Sequence, residues 1–279
     1  MASDDLKAAD SHFAFGKNWA SYADLIGQPQ IEEAKRGLLK LIPASDLAGR
    51  SFLDIGCGSG VHSLAAAQLG VSRLLATDID TDSVATTRAV LTKFAVGAPW
   101  EAKAVSVFDL DPERDGRFDI VYSWGVLHHT GAMWEAIAKA AAMVAPGGLL
   151  AIALYRRIVF DPFWKLEKRW YSKASPGAQK LAQSAYISAY RLARSVRGKG
   201  SYQDFVANYR SNRGMDFAHD VHDWLGGYPY ESASAREVES RLSALGFSAR
   251  KVSARGRSLG VFGSGCDEYV YMRLPGGKH

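Results

Sequence analysis

The arrangement in this 279-residue sequence best suited to chemistry is an acid followed by glycines at every second position, Asp54-Ile-Gly56-Cys-Gly58-Ser-Gly60. Glycines let a ligand approach the backbone closely and permit positive φ. A dinucleotide fingerprint requires Gly-x-Gly-x-x-Gly, but the third position is Val61 counting from Gly56 and Ser63 counting from Gly58. Asp54 would repel a pyrophosphate and could hold an ammonium group. Asp78, eighteen residues after Gly60, is placed to accept hydrogen bonds from a ribose diol. A ligand with a ribose, an amine and no phosphate is S-adenosylmethionine. Cys57, between the glycines, reads as a small filler bordering that ligand and not as a nucleophile.

A second group could move protons. His128 and His129 are adjacent, and a neutral imidazole there could accept a proton from a substrate. Further on come Asp216, His219, Asp220, His222 and Asp223. On a helix His219 and Asp223 are i,i+4 neighbours, as are Asp216 and Asp220, which gives a polar face for the acceptor. His219 and Asp223 are read as candidate catalytic groups and His222 as a substrate contact, and no metal is assigned. The aromatic turn Gly226-Gly-Tyr-Pro-Tyr-Glu231 offers Tyr228 and Tyr230 as substrate-lining side chains.

These residues need a scaffold that brings them to one place. Apolar residues recur at helical spacing from Ile31 to Leu41, and Pro43 stops that helix. Strand Ser51–Ile55 then delivers the glycine loop, and Val61–Leu69 reads as a helix. The alternation continues with strand Arg73–Thr77, helix Thr81–Phe94, a strand near Ala102–Phe108, strand Phe118–Ser123, helix Met133–Val144, a turn at Pro146-Gly-Gly148 and strand Leu149–Tyr155. Such a rhythm predicts an α/β fold with a doubly wound parallel sheet, whose ligands lie at the carboxyl ends of the strands. It breaks after Tyr155, and a structureless loop of nearly eighty residues would be unusual inside a compact domain. The segment 156–232 is therefore read as a helical insertion. Helix Ser234–Leu245 and two strands, Phe247–Ala254 and Cys266–Leu274, complete the chain. The predicted divisions are 1–45, an N-terminal lid and helix; 46–155, the cofactor-binding core; 156–232, the insertion; and 233–279, a helix and β-hairpin returning to the core.

The words Phe52-Leu-Asp-Ile-Gly-Cys-Gly-Ser-Gly60, Ala76-Thr-Asp-Ile-Asp80, Phe118-Asp-Ile-Val-Tyr-Ser-Trp-Gly-Val-Leu-His-His129 and Val144-Ala-Pro-Gly-Gly-Leu149 occur in that order. Together they resemble the core of class I S-adenosylmethionine-dependent methyltransferases, within the ubiquinone-type O-methyltransferase-like (methyltransferase type 11/12) group. The resemblance implies a seven-stranded Rossmann-like sheet with an antiparallel C-terminal edge hairpin. It also implies that Asp54 and Gly56 to Gly60 border the methionine part, that Asp78 with Ile79 takes the ribose, and that Ser106 and Val107 meet the adenine. Ser123 and Trp124 close the cofactor site. His129 fits the family's word after the fourth strand. In related enzymes a lid precedes the first helix, and Phe13, Phe15 and Trp19 stand there, with Phe15 and Trp19 as expected substrate contacts. Ser123-Trp-Gly-Val126 replaces the Asn/Asp-Pro-Pro-Tyr word of enzymes that methylate nucleic-acid amines, which counts against exocyclic base amines as acceptors; nucleic acid is not the expected partner.

Composition sets outer limits. At 47% hydrophobic and 23% charged residues the chain has material for a sizeable core. The two cysteines, Cys57 and Cys266, form no zinc or disulfide pattern. No exported leader or spanning segment is expected, so the location read from the sequence is cytoplasmic. The net charge of +5 hides an asymmetry: residues 1–150 hold 13 basic and 18 acidic side chains, 151–200 hold 11 and 2, and 201–279 hold 10 and 9. Aromatics interleave the basic stretch, which suits peripheral contact with an anionic membrane through 156–200, an acidic or lipid-like acceptor, RNA, or a plain solvated face. The expected activity is methyl transfer to a small-molecule or lipid-like acceptor, most readily at oxygen, with an RNA methyltransferase and a noncatalytic cofactor-binding protein as alternatives.

Overall fold

The computed structural model describes residues 26–95, 99–198, 200–213, 217–256 and 258–276, with backbone alone for 210–213 and 219. The N-terminal aromatic residues Phe13, Phe15 and Trp19, together with Asp216, lie outside the described residues.

Seven strands, β1 (Ser51–Ile55), β2 (Arg73–Asp78), β3 (Trp100–Ala104), β4 (Phe118–Trp124), β5 (Val144–Tyr155), β6 (Phe247–Ser253) and β7 (Cys266–Arg273), form one sheet in the order β3-β2-β1-β4-β5-β7-β6. The first five are parallel, and β7 runs antiparallel between β5 and β6. The Rossmann-like α/β sheet with its C-terminal edge hairpin is thus as the sequence implied. Strand order reverses between β1 and β4, so the crevice at their carboxyl ends is the natural ligand site.

Side chains alternate between two cores. Phe52, Ile120, Tyr122, Leu149 and Ala151 pack under α1 (Gln28–Leu41), α3 (Val61–Gln68) and α4 (Thr81–Phe94). Leu53, Ile55, Val121, Leu150 and Ile152 face α5 (Met133–Ala142) and α10 (Ala235–Ala244). A short helix α2 (Ala44–Leu47) links α1 to β1. Sequence-visible caps fix several helix starts: Asp80 accepts from the Asp82 N–H ahead of α4, and Ser234 with Glu237 forms a capping box ahead of α10.

Two boundaries differ from the sequence expectation. The third strand ends at Ala104, and 107–109 is a single 3-10 turn because the Ser106 side chain caps the Phe108 N–H and draws the chain out of the sheet. The expected turn at Pro146-Gly-Gly148 lies inside β5, where pairing jumps from Phe118↔Val144 to Ile120↔Leu149; the glycine turn is absorbed as a bulge.

Between β5 and α10 stand α6 (Asp161–Tyr171), α7 (Pro176–Val196), α8 (Tyr202–Arg213) and α9 (Phe217–Gly226). They share a separate core of Ile158, Trp164, Tyr171, Phe217, Val221, Leu225 and Tyr230. α7 carries no fully buried side chain over its 21 residues and rests on half-buried Ala182, Tyr186, Ile187 and Tyr190. The helices are anchored to the sheet where Arg156 pairs with Ala233 in a β-bridge and with Asp267 in a buried ion pair.

Candidate functional site

A cavity of about 1180 Å³ opens over the carboxyl ends of β1, β2 and β4 and is walled on its far side by α7, α8, α9 and the segment before β7. The glycine loop forms its inner end. The N–H groups of Gly56 and Cys57 both donate to the Thr77 carbonyl, at 2.7 and 3.0 Å, tying the loop to β2. Gly56 has φ +77°, and a Cβ there would stand 2.4 Å from Val126 Cγ2, so only glycine lets the loop lie against the segment that follows β4.

Asp78 faces this loop. Its two carboxylate oxygens accept from the Gly58 N–H and the Asp80 N–H, each at 3.0 Å. Burial pushes the Asp78 carboxyl above its usual range, against the opposing pull of those N–H donors. Gly56, Cys57, Gly58, Asp78, Ile79, Ser106, Val107 and Trp124 all line the cavity. Cys57 accepts from Thr87 Oγ1 at 3.2 Å, and burial holds its thiol protonated, as befits a filler.

Three expected cofactor residues stand behind the wall. The Asp54 carboxyl is 2% exposed, accepts from Ser63 Oγ at 2.5 Å, and is pushed up to about 7 by burial. It braces α3 against β1 and does not reach the cavity. Ser123 Oγ donates to the Ile55 carbonyl at 2.9 Å, locking β4 to β1, and Gly60 begins α3.

The adjacent histidines part company on their 3-10 turn. His128 is fully buried, its Nδ1 accepting the Tyr155 N–H at 3.3 Å and its ring 3.9 Å from that of Tyr155. Burial holds it well below its ordinary pKa, hence neutral. His129 lines the cavity, and its Nδ1 lies 2.7 Å from the Pro229 carbonyl. A carbonyl only accepts, so Nδ1 carries the proton and a neutral ring keeps its lone pair on Nε2. The ring fits only because residue 227 is glycine, where a Cβ would come 2.7 Å from His129 Cε1.

In α9 the structure brings Asp220 and Asp223 to the wall, and Tyr209 Oη donates to Asp220 Oδ2. Only the backbone of His219 is described. His222 turns the other way: its Nδ1 lies 2.7 Å from Tyr171 Oη and 2.8 Å from Gln183 Nε2, inside the helical core. Tyr228 and Tyr230 are likewise buried off the wall, and Tyr230 Oη donates to Asp161 Oδ1 at 2.5 Å. Pro229, which fixes His129, follows a cis peptide bond. The aromatic turn therefore meets the site through the Pro229 carbonyl at His129, while its two tyrosine side chains do not line the cavity.

The outer chamber is formed by residues that the sequence reading missed as a group: Tyr155, Tyr186, Tyr190, Phe217, Trp224 and Phe262. The i,i+4 spacing of Tyr186 and Tyr190 was the one available signal. At the rim, Glu268 bridges Lys40, at 2.7 Å, and Trp124 Nε1, at 3.2 Å. His62, pushed down to about 4 by burial, packs its ring against those of Tyr122 and Trp124. Among the described residues the cavity thus carries the acids Asp78, Asp80, Asp220, Asp223 and Glu268 and, of Lys and Arg, Lys40 and Arg255. Among the described residues no three His, Cys, Asp or Glu side chains converge to hold a metal ion.

Residues 53–152 match the methyltransferase domain family. The chain is 35% identical over 114 residues to a ubiquinone biosynthesis O-methyltransferase of Bordetella avium, covering 41% of this chain and 46% of that protein. It is 27% identical over 194 residues to a ribosomal RNA small subunit methyltransferase C of Chromohalobacter salexigens, covering 66% and 54%. The chain spans about half the length of these curated relatives. Among solved structures, magnesium protoporphyrin IX methyltransferase from Synechocystis PCC 6803 with bound S-adenosylhomocysteine superposes with a TM-score of 0.55 at 15% identity, covering 95% and 97% of the two chains. At that identity the likeness is one of fold.

Proposed function

We propose that this chain, whose residues 53–152 match the methyltransferase domain family, is a class I S-adenosylmethionine-dependent methyltransferase that transfers the methyl group to an oxygen of a small, lipid-like acceptor by in-line displacement. The observation that carries this reading is the union, in one cavity, of the glycine loop and Asp78 with His129 and the aromatic chamber. The loop end fits the methyl donor. It offers backbone that a ligand can approach, an acid to accept from ribose hydroxyls, and Asp78 and Asp80 where a phosphate would be repelled.

When bound, the donor supplies an electrophilic methyl on a sulfonium that is already a good leaving group. The chain's own work is positioning and proton handling. Asp78, itself positioned by the Gly58 N–H, holds one end, Trp124 and the Glu268–Lys40 bridge close the rim, and the aromatic walls exclude water and orient the acceptor. His129 Nε2 receives the proton that an acceptor hydroxyl loses. Asp54 serves at one remove by fixing Ser63 and the start of α3.

The test supplies methyl-labelled donor with a lipid extract, small-molecule fractions and RNA of a bacterial source. Label is expected in organic-soluble small molecules. Label confined to RNA, with binding that falls steeply with salt, would select the RNA reading instead. Donor binding without transfer to any fraction would leave a noncatalytic binding protein. For the donor site, Asp78→Ala removes a buried acceptor and one tether of the loop, so affinity for the donor should fall about 10- to 100-fold by calorimetry. Unchanged affinity would refute the ribose assignment.

A further inference from the structure

We propose that α6 and the 258–261 segment form a face that docks this protein on an anionic lipid bilayer, an inference that rests on the lipid-like acceptor proposed above. On α6, Phe163, Leu166 and Trp170 stand at i, i+3 and i+7 and are 56, 69 and 52% exposed, while Trp164, Lys168 and Tyr171 bury the opposite side. A helix of this kind presents one apolar stripe to the helical core and a second one outward.

The outward stripe does not stand alone. Val159 and Phe160 extend it at the start of α6, and Leu259 and Val261 adjoin it from the other segment, all four exposed. The two pieces form a single rigid surface. The Val159 and Phe160 N–H groups donate to the Ser258 and Leu259 carbonyls at 3.3 and 3.2 Å, and buried Trp164 Nε1 donates to the Gly260 carbonyl at 2.7 Å. Water-facing monomer surfaces rarely keep so continuous an apolar patch without a partner.

Charge decides what the partner is. Lys165, Arg169 and Lys173 flank the stripe and are exposed. From 157 to 203 the sequence has only two acids, Asp161 and Glu167. Asp161 points inward, accepting from Tyr230, Ser232 and the Ile158 N–H, and Glu167 is half-buried beside Lys168. The face is therefore apolar and cationic together. A second copy of this chain would bring like charges against it, whereas an anionic bilayer complements both components. Leu166, Arg169, Trp170, Lys173 and Ala174 also line a groove of about 340 Å³, in which two cations sit beside apolar walls. The geometry gives the docking a purpose. The chain that exposes Leu259 and Val261 turns Phe262 and Gly263 into the cavity wall one residue later. Docking would set the acceptor chamber one chain-thickness from the lipid.

The experiment uses the full chain with vesicles of phosphatidylcholine, alone or with phosphatidylglycerol, read by co-sedimentation and by the intrinsic tryptophan fluorescence, compared between the wild type and the variant lacking Trp170. Binding is expected only with phosphatidylglycerol, with a blue shift and release by salt. The triple variant Phe163→Ser, Leu166→Ser, Trp170→Ser should weaken sedimentation by about tenfold or more, and Lys165→Glu with Arg169→Glu should abolish it. Leu192→Ser with Val196→Ser on α7 should change nothing. Donor affinity should stay constant in every variant, so a failure of docking is read apart from a failure of the methyltransferase reading. No binding to either vesicle, equal binding to both, a triple variant that binds like the wild type, or concentration-dependent self-association lost in that variant would each overturn the proposal.

Discussion

Replacing His129 by alanine is expected to lower kcat by about 10²- to 10⁴-fold, the usual contribution of a positioned proton acceptor, with donor affinity unchanged. The expectation follows from the tautomer. The Pro229 carbonyl, 2.7 Å from Nδ1, requires a donor there and leaves the lone pair on Nε2, in a ring that lines the cavity. Gly227 leaves room for the ring, and the Tyr155 ring meets it edge-on at 5.1 Å. His128→Phe is the matching control. That side chain accepts from a backbone N–H and lies off the wall, so its loss should be felt in stability before turnover. A small-molecule methylation assay over both variants separates the roles. Wild-type kcat in His129→Ala would show that the acceptor reacts without losing a proton to this residue.

The difference between these histidines marks where sequence reasoning reaches its physical limit. Glycine spacing, the acid ending β2 and the alternation of strands and helices are local signals, and the sheet positions them without further information. Adjacent residues on a 3-10 turn point in different directions, and no periodicity says which one meets the cavity. The same holds for α9. The i,i+4 relation between its polar residues was legible, but the phase of the helix against α6 and α7 was not, so His222 turned out to bond Tyr171 while Asp220 and Asp223 took the wall. Asp54 stands off the cavity for a related reason: alternation along β1 places it opposite Leu53 and Ile55, under α3, where Ser63 can reach it. The aromatic chamber was hidden because its members come from β5, α7, α9 and the segment before β7, which only tertiary packing unites.

The charge asymmetry changes meaning in the same way. The excess of basic residues in 151–200 suited an acidic acceptor, yet Lys165, Arg169, Lys173, Lys180, Arg191 and Arg197 all lie exposed, and the cavity is richer in acids. These basic side chains therefore face the surroundings of the protein and not the cavity. Arg156 and Lys168 are the buried exceptions: Arg156 is held by Asp267, and Lys168 lies over the Trp224 ring.

Asp267→Ala should cost about 3–5 kcal/mol of stability, because it strands a guanidinium that the fold has already buried. Arg156 Nε and Nη2 both donate to Asp267 Oδ1, at 2.8 and 2.6 Å, and the Arg255 N–H donates to the same oxygen at 3.1 Å. Asp267 is 1% and Arg156 9% exposed, so water cannot replace the lost partner. The pair sits where the chain leaves β5 for the helices and where β7 begins. Its loss should therefore also loosen the segment that carries Phe262 and Gly263 into the cavity wall, raising KM for the acceptor. Denaturant unfolding measures the first effect. The double variant Arg156→Met, Asp267→Leu separates the cost of a stranded charge from the worth of the pair: with both charges replaced by apolar groups, most of the stability should return. A single variant that loses less than about 1 kcal/mol would mean that Arg156 finds water or another acceptor on its own, and that this junction is held by β5–β7 pairing and not by the ion pair.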